Sequence, residues 1–183
     1  MATPFEIQNS EPASDNATEP AFLALVRTIG LLRRVMEPYF ARFGLSGAQW
    51  GVLRTLHRET VEADAGSLRL TDLGDRLLVR PPSVTGVVDR LQRMGLVNRT
   101  ISAEDHRVKR VSLTPRGLKL VEQVLEEHPR HIANVLAGLD ETSQQALLRL
   151  LERLEPHLSA IADEAEADAA KAKAGKRPIR AAG

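Results

Sequence analysis

Between Leu70 and Thr114 the chain carries dense structural punctuation, and it leaves little choice of fold. Leu70 to Leu78 places Leu73 and Leu77 one turn apart, the spacing of a short helix. Arg80-Pro81-Pro82-Ser83 follows. Two prolines preset φ and lack amide hydrogens, which suits only the first turn of a helix. Val84, Val87, Val88 and Leu91 then form one apolar face. Ser83, Thr85, Gly86, Asp89, Arg90 and Arg93 are left outside it, and Gly95 is the expected stop. Val97 to Ile101 and Val108 to Leu113 are β-rich runs around Ser102 to Arg107, so a hairpin with a basic, polar loop is expected. Thr114-Pro115 supplies a cap and a first helical residue. Helix, helix, hairpin is the order of a winged helix-turn-helix.

The flanks read as helix. Residues 1–19 are polar and acidic, with few apolar anchors, and are expected to be disordered. Phe22, Leu25, Ile29, Leu32, Met36, Tyr39 and Phe43 recur at steps of three and four, predicting a helix over 20–44 that Pro38 kinks or weakens. Leu45-Ser46-Gly47-Ala48-Gln49-Trp50 has the capping-box and staple spacing of a second helix, with Trp50, Leu53 and Leu56 inward. Val61 to Ser67 reads as a polar loop. From Thr114, Val121, Val124, Leu125, Ile132, Val135 and Leu136 continue a helix that Pro129 is expected to kink. Asp140 caps a last helix with Leu147, Leu150, Leu151, Leu154, Leu158 and Ile161 on its stripe. From Asp163 the chain is Ala-rich and loses that stripe, so 163–183 is expected to be a fraying helix and then disordered. The fold class is mainly α (α+β): about six helices and one β-hairpin. A winged helix-turn-helix at 45–114 sits between dimerisation helices at 20–44 and 115–162. Stripes longer than one winged lobe can cover imply a homodimer.

Charge says what the middle of the chain meets. From Arg69 to Arg116 ten Lys/Arg stand against five Asp/Glu, whereas the rest of the chain carries fifteen against nineteen. A basic segment in a chain of net charge +1 fits an anionic partner, although a solvated basic face would look the same. Cysteine is absent, which excludes disulfides, zinc–thiolate sites and thiol redox switches. No apolar run approaches the roughly 20 residues of a membrane span, and no signal-peptide order opens the chain, so a cytoplasmic location is expected. Gly-rich phosphate loops, paired catalytic carboxylates and a nucleophile elbow are missing. Neither an enzyme nor a cofactor is expected.

Asp105-x-Arg107 followed by Val111-x-Leu113-Thr114 resembles the wing signature of the MarR-type (multiple antibiotic resistance regulator) transcription factors. Pro82-Ser83-Val84-Thr85, Val88-Asp89-Arg90-Leu91 and Gly95-Leu96-Val97 resemble that family's recognition helix and its exit, and the likeness spans residues 20 to 161. It implies a roughly triangular homodimer whose first, fifth and sixth helices interdigitate. Its two winged lobes would read a pseudo-palindromic operator in double-stranded DNA, most simply as a repressor. Gly86 stands where the family often has a larger, frequently basic residue, and His106 where many members carry arginine.

The DNA-contacting candidates are Ser83, Thr85, Arg90, Arg93, Asp105, Arg107 and Lys109. Ser83 and Thr85 lie at a helix N-terminus, where amides and dipole meet phosphate. Arg90 or Arg93 suits guanine or phosphate. The resemblance puts Arg107 in the minor groove, held by Asp105; the plainer reading is a hairpin ion pair. Asp89 and Arg93 have the spacing of a surface pair. Met36, Tyr39, Trp50 and Arg54 are candidates for a small aromatic effector, stacking on Trp50 and pairing with Arg54, although core packing alone explains Trp50. His128 and His131, three apart, have a spacing that can bind metal, which keeps a metal-responsive regulator as an alternative, beside an architectural DNA protein without effector.

Overall fold

The computed structural model describes residues 17–59, 66–77, 81–101 and 108–175. Among these, the elements run α1 Thr18–Ala41, α2 Gly47–His57, β1 Leu68–Arg69, α3 Leu70–Leu77, α4 Pro81–Arg93, β2 Val97–Ile101, β3 Lys109–Leu113, α5 Pro115–Val135 and α6 Glu141–Gly175. The expected disorder of the first residues, most of the loop before Ser67, Arg80, and the wing loop with Asp105, His106 and Arg107 fall outside the described residues. The chain divides into two compact units at His128.

In the first unit, local signals set each element. α1 runs unbroken through Pro38 to Ala41, and Gly44, with a φ of 71°, closes the turn that follows in the left-handed conformation. The Leu45 amide donates back to Phe40 and the Gly44 amide to Ala41. α2 starts with the expected capping box: the Ser46 hydroxyl accepts from the Gln49 amide and the Gln49 side chain from the Ser46 amide. Trp50, Leu53 and Leu56 of α2 join Leu73, Val84, Val88, Leu91, Leu96, Val111, Val121 and Val124 in the core.

The hairpin is part of a three-stranded antiparallel sheet ordered β1-β3-β2. The short strand β1 has no counterpart in the sequence pattern, because two residues carry no period. Leu68 pairs with Val111, and Val111 with Arg99. Directly paired residues share a face, so Arg99 enters the core side of the sheet beside two buried aliphatic side chains. Arg110, on the opposite face, donates to the Ser67 hydroxyl and carbonyl at 2.7 Å each, which ties β1 to β3.

In the second unit, Leu136 to Leu139 turn the chain and Asp140 caps α6, accepting from the Ser143 amide at 2.8 Å. Hydrogen bonding by the Ser143 side chain first, and by its amide second, holds the Asp140 carboxyl below its ordinary range. Of the tail from Asp163, expected as a fraying helix and then disorder, the described residues are helix as far as Gly175. Alanine, glutamate and lysine are strong helix formers, and no Gly or Pro interrupts 163–174. Leu148, Leu150, Leu158 and Ile161 are exposed along it, as are Phe22, Leu23, Val26 and Val35 on α1. No helix among the described residues is long and apolar enough to cross a membrane.

Candidate nucleic-acid interface

α4 is fixed on one side and open on the other. Val84, Val88 and Leu91 are buried and Val87 packs against them. Its C-terminus closes on Gly95, whose φ is 70°. The Leu96 amide donates to Leu91 and the Gly95 amide to Gln92, a Schellman stop that delivers Leu96 to the core. The Thr114 hydroxyl then donates to the Gly95 carbonyl at 2.7 Å and accepts from the Gly117 amide at 3.0 Å. One side chain thus ends α4's turn and starts α5. Beside it, the Thr114 amide donates to the Leu96 carbonyl at 3.1 Å.

The outer face of α4 carries Thr85, Gly86, Asp89, Arg90 and Arg93. Arg90 and Arg93 are exposed, and each folds back one turn: Arg90 Nε donates to the Gly86 carbonyl at 3.2 Å and Arg93 Nε to the Asp89 carbonyl at 3.4 Å. These contacts are weak and wet, so both guanidiniums are available to a stronger acceptor. Ser83 lies in the first turn of α4, and Lys109 is exposed at the start of β3. Asp105 and Arg107 are outside the described residues, so their pair does not enter the geometry of this surface.

The expected Asp89–Arg93 side-chain pair does not form. The Asp89 carboxylate takes Arg99 of β2 instead, and Arg93 is left with the Asp89 backbone. The cause is burial: the Arg99 side chain is only 18% exposed, on the core face of the sheet, and a desolvated guanidinium needs a carboxylate more than the solvated Arg93 does. Sequence reasoning missed Arg99; its place in β2, two residues on from inward Val97, was the available signal. The pair joins the wing strand to the outer helix. Asp89→Ala is expected to cost about 1–2 kcal/mol, because it strands Arg99. Arg99→Leu should cost less than about 0.5 kcal/mol, because half-exposed Asp89 rehydrates and leucine suits the face. Urea unfolding of both variants tests this, and the reverse order would refute it.

The effector candidates divide. Tyr39, Trp50 and, at the edge, Met36 belong to the core, whereas Arg54 donates to His57 Nδ1 at 3.2 Å. Trp50 stacks on Phe40 at 5.6 Å and meets His128 edge-on at 5.2 Å; His128 in turn stacks on Tyr39 at 5.6 Å. The Tyr39 hydroxyl donates to the Val124 carbonyl at 3.0 Å. Burial first, and Glu127 second, push its pKa up against the opposing pull of Arg42. Arg42 lies over the Tyr39 and Phe43 rings and pairs with Glu127 at 2.9 Å. Phe40, Arg42 and Glu127 were missed by sequence; the Tyr39-Phe40-x-x-Phe43 spacing was the visible trace of the cluster. No group of three or more His, Asp or Glu gathers as a metal site among the described residues.

A family model, MarR family, matches residues 45–109. The HTH-type transcriptional repressor YetL of Bacillus subtilis (strain 168) is 32% identical over 142 residues, covering 78% of this chain and 83% of its own. A mutant MarR from E. coli complexed with operator DNA matches with a TM-score of 0.67 at 23% identity, over 77% of this chain and 99% of that one. Bordetella bronchiseptica BpsR, whose DNA binding is regulated by 6-hydroxynicotinic acid, matches at 0.65 and 24% identity, over 74% and 98%. At these identities the two solved structures bear on the fold.

Proposed function

The chain belongs to the MarR family of transcriptional regulators, and from that membership we propose that it acts as a dimeric repressor whose α4 lies in the major groove of a pseudo-palindromic operator. The observation that carries this reading is the outer face of α4: two exposed arginines, weakly held by their own helix, on a segment of ten basic against five acidic residues. Arg90 and Arg93 serve as base or phosphate donors, and Ser83 and Thr85 meet the backbone at the helix start. Lys109 adds a phosphate contact from β3, and the wing beyond it supplies Arg107, oriented by Asp105, to the minor groove. Dimerisation uses 20–44 and 115–162, and the protein works in the cytoplasm, where its DNA is.

Binding measured against salt tests the reading. Each phosphate contact releases counterions, so log affinity should fall with log salt at a slope of roughly −0.9 per contact; six contacts would lose about a thousandfold between 50 and 200 mM. A flat titration would refute it. Arg90→Ala and Arg93→Ala should each remove about 1–3 kcal/mol of operator binding.

The effector is a small aromatic acid, and the cluster of Tyr39, Phe40, Trp50 and His128 is where it acts. BpsR offers the precedent for such an acid. Because Tyr39 and Trp50 are core residues, a ligand must displace packing to reach them. Arg42 at the rim, more open than Arg54, is the cation its carboxylate meets first. Differential affinity for two conformations is what would release DNA. Quenching of Trp50 by 6-hydroxynicotinate or salicylate together with loss of operator affinity supports this. No response to either would favour the metal-responsive or effector-free alternatives.

A further inference from the structure

We propose that Gly86 is a specificity-determining position. Its missing Cβ leaves a hollow on the outer face of α4 that receives the C5-methyl group of an operator thymine. This rests on the reading of α4 as the groove-entering helix.

A glycine inside a helix weakens it relative to alanine, so a folded chain normally shows why it is there. Gly44 and Gly95 have positive φ, and at Gly117 a Cβ would stand 2.0 Å from the Leu96 carbonyl oxygen. Gly86 has neither reason. It is in ordinary helical conformation inside α4, and a Cβ built on it meets nothing within 4 Å. The fold would accept alanine and be more stable for it. Gly30 in α1 also meets nothing within 4 Å, so what singles out Gly86 is its place on the outer face of α4.

Its position names the partner. At 100° per residue, Gly86 lies roughly 200° round the helix from buried Val84, near the middle of the outer face and flanked by Asp89, Arg90 and Arg93. The polar group nearest the hollow is the Gly86 carbonyl, an α4 backbone group that accepts from Arg90 Nε before DNA is bound. What the open space presents is Cα–H surface. Gly86 itself offers a phosphate no donor; the cation beside it is Arg90. The apolar group of the major groove is the thymine methyl, and it has the size of the missing side-chain carbon. Arg90, arched against this hollow, is then placed over the neighbouring base pair.

The test uses the full-length chain. High-affinity duplexes are selected from a random pool. In the best of them each thymidine is replaced in turn by deoxyuridine, which lacks only the methyl. Wild type, Gly86→Ala and Gly86→Ser are compared by binding and by thermal melting. Gly86→Ala should melt higher than wild type and yet bind the selected operator at least about fivefold more weakly, the effect of overfilling a packed contact. At one symmetry-related pair of thymidines, deoxyuridine should weaken wild type about fourfold per methyl and leave Gly86→Ala unaffected. Gly86→Ala binding within twofold of wild type would overturn the proposal. So would wild type indifferent to every thymine methyl, an arm that needs no variant to fold. Both results would leave the DNA-binding reading intact. A wild-type protein that selects no duplex would bring down that reading and this inference with it.

Discussion

Gly117→Ala is expected to destabilise the protein by about 3 kcal/mol, the upper end of what overpacking costs. The added Cβ would lie 2.0 Å from the Leu96 carbonyl oxygen and 3.0 Å from its carbon, and both are backbone. A flexible side chain could swing aside; this carbonyl cannot. It accepts from the Thr114 amide, the Leu96 amide donates to Leu91, and the Leu96 side chain is buried. Relief requires α5 to withdraw from the end of α4, which also breaks the bonds of the Thr114 hydroxyl to Gly95 and Gly117. At roughly 2–4 °C per kcal/mol for a chain of this length, the melting temperature should fall by about 6–12 °C at fixed protomer concentration. Trp50 fluorescence, from the single tryptophan, follows the unfolding. Gly86→Ala should move the other way, because its Cβ enters open space. One substitution in two helices with opposite signs makes a demanding test. A Gly117→Ala protein as stable as wild type would mean that α5 does not approach Leu96 this closely.

That contrast also marks how far the sequence could be read. Where structure follows from neighbours in the chain, the residues announced it. The proline pair opened α4, Gly95 closed it, Ser46 and Gln49 capped α2, and Thr114-Pro115 began α5. What failed was set by contacts between elements. Nothing around Gly117 says that a carbonyl from the end of α4 sits over it. Asp89 and Arg93 have pairing spacing on one helix, yet the partner is chosen by the burial of Arg99 on a strand whose sheet includes β1, which left no pattern. In the candidate interface, Arg90 and Arg93 were legible as outward residues of an amphipathic helix. Their resting contacts with carbonyls one turn back were not, because they depend on rotamers.

Leu158→Glu is expected to abolish high-affinity operator binding without touching the DNA-reading surface. In the proposed dimer the partner covers exposed apolar residues of α1 in the first unit and, separately, of α6 in the second. Phe22 is 63% exposed and Leu150 61% exposed in the single chain, and Leu158 is half-exposed. A stable interface buries at least about 1,000 Å² in total, and these faces are the large apolar surface available for it. Under two-fold symmetry one substitution enters the interface twice, so two carboxylates are desolvated where two leucine side chains had packed. The dimer should dissociate or, if the protomer cannot stand alone, unfold at dilution. Either way the second winged lobe is no longer delivered at high effective concentration, and affinity for a two-half-site operator should fall roughly 10²–10⁴-fold. Sedimentation gives the oligomeric state directly. For a surviving folded monomer, the salt dependence of DNA binding should have about half the wild-type slope, since half the phosphate contacts remain. Leu158→Met, which keeps volume and polarity, should remain dimeric. A Leu158→Glu protein that sediments as a dimer and binds the operator normally would place the dimer contact elsewhere and leave the exposed face of α6 without its proposed partner.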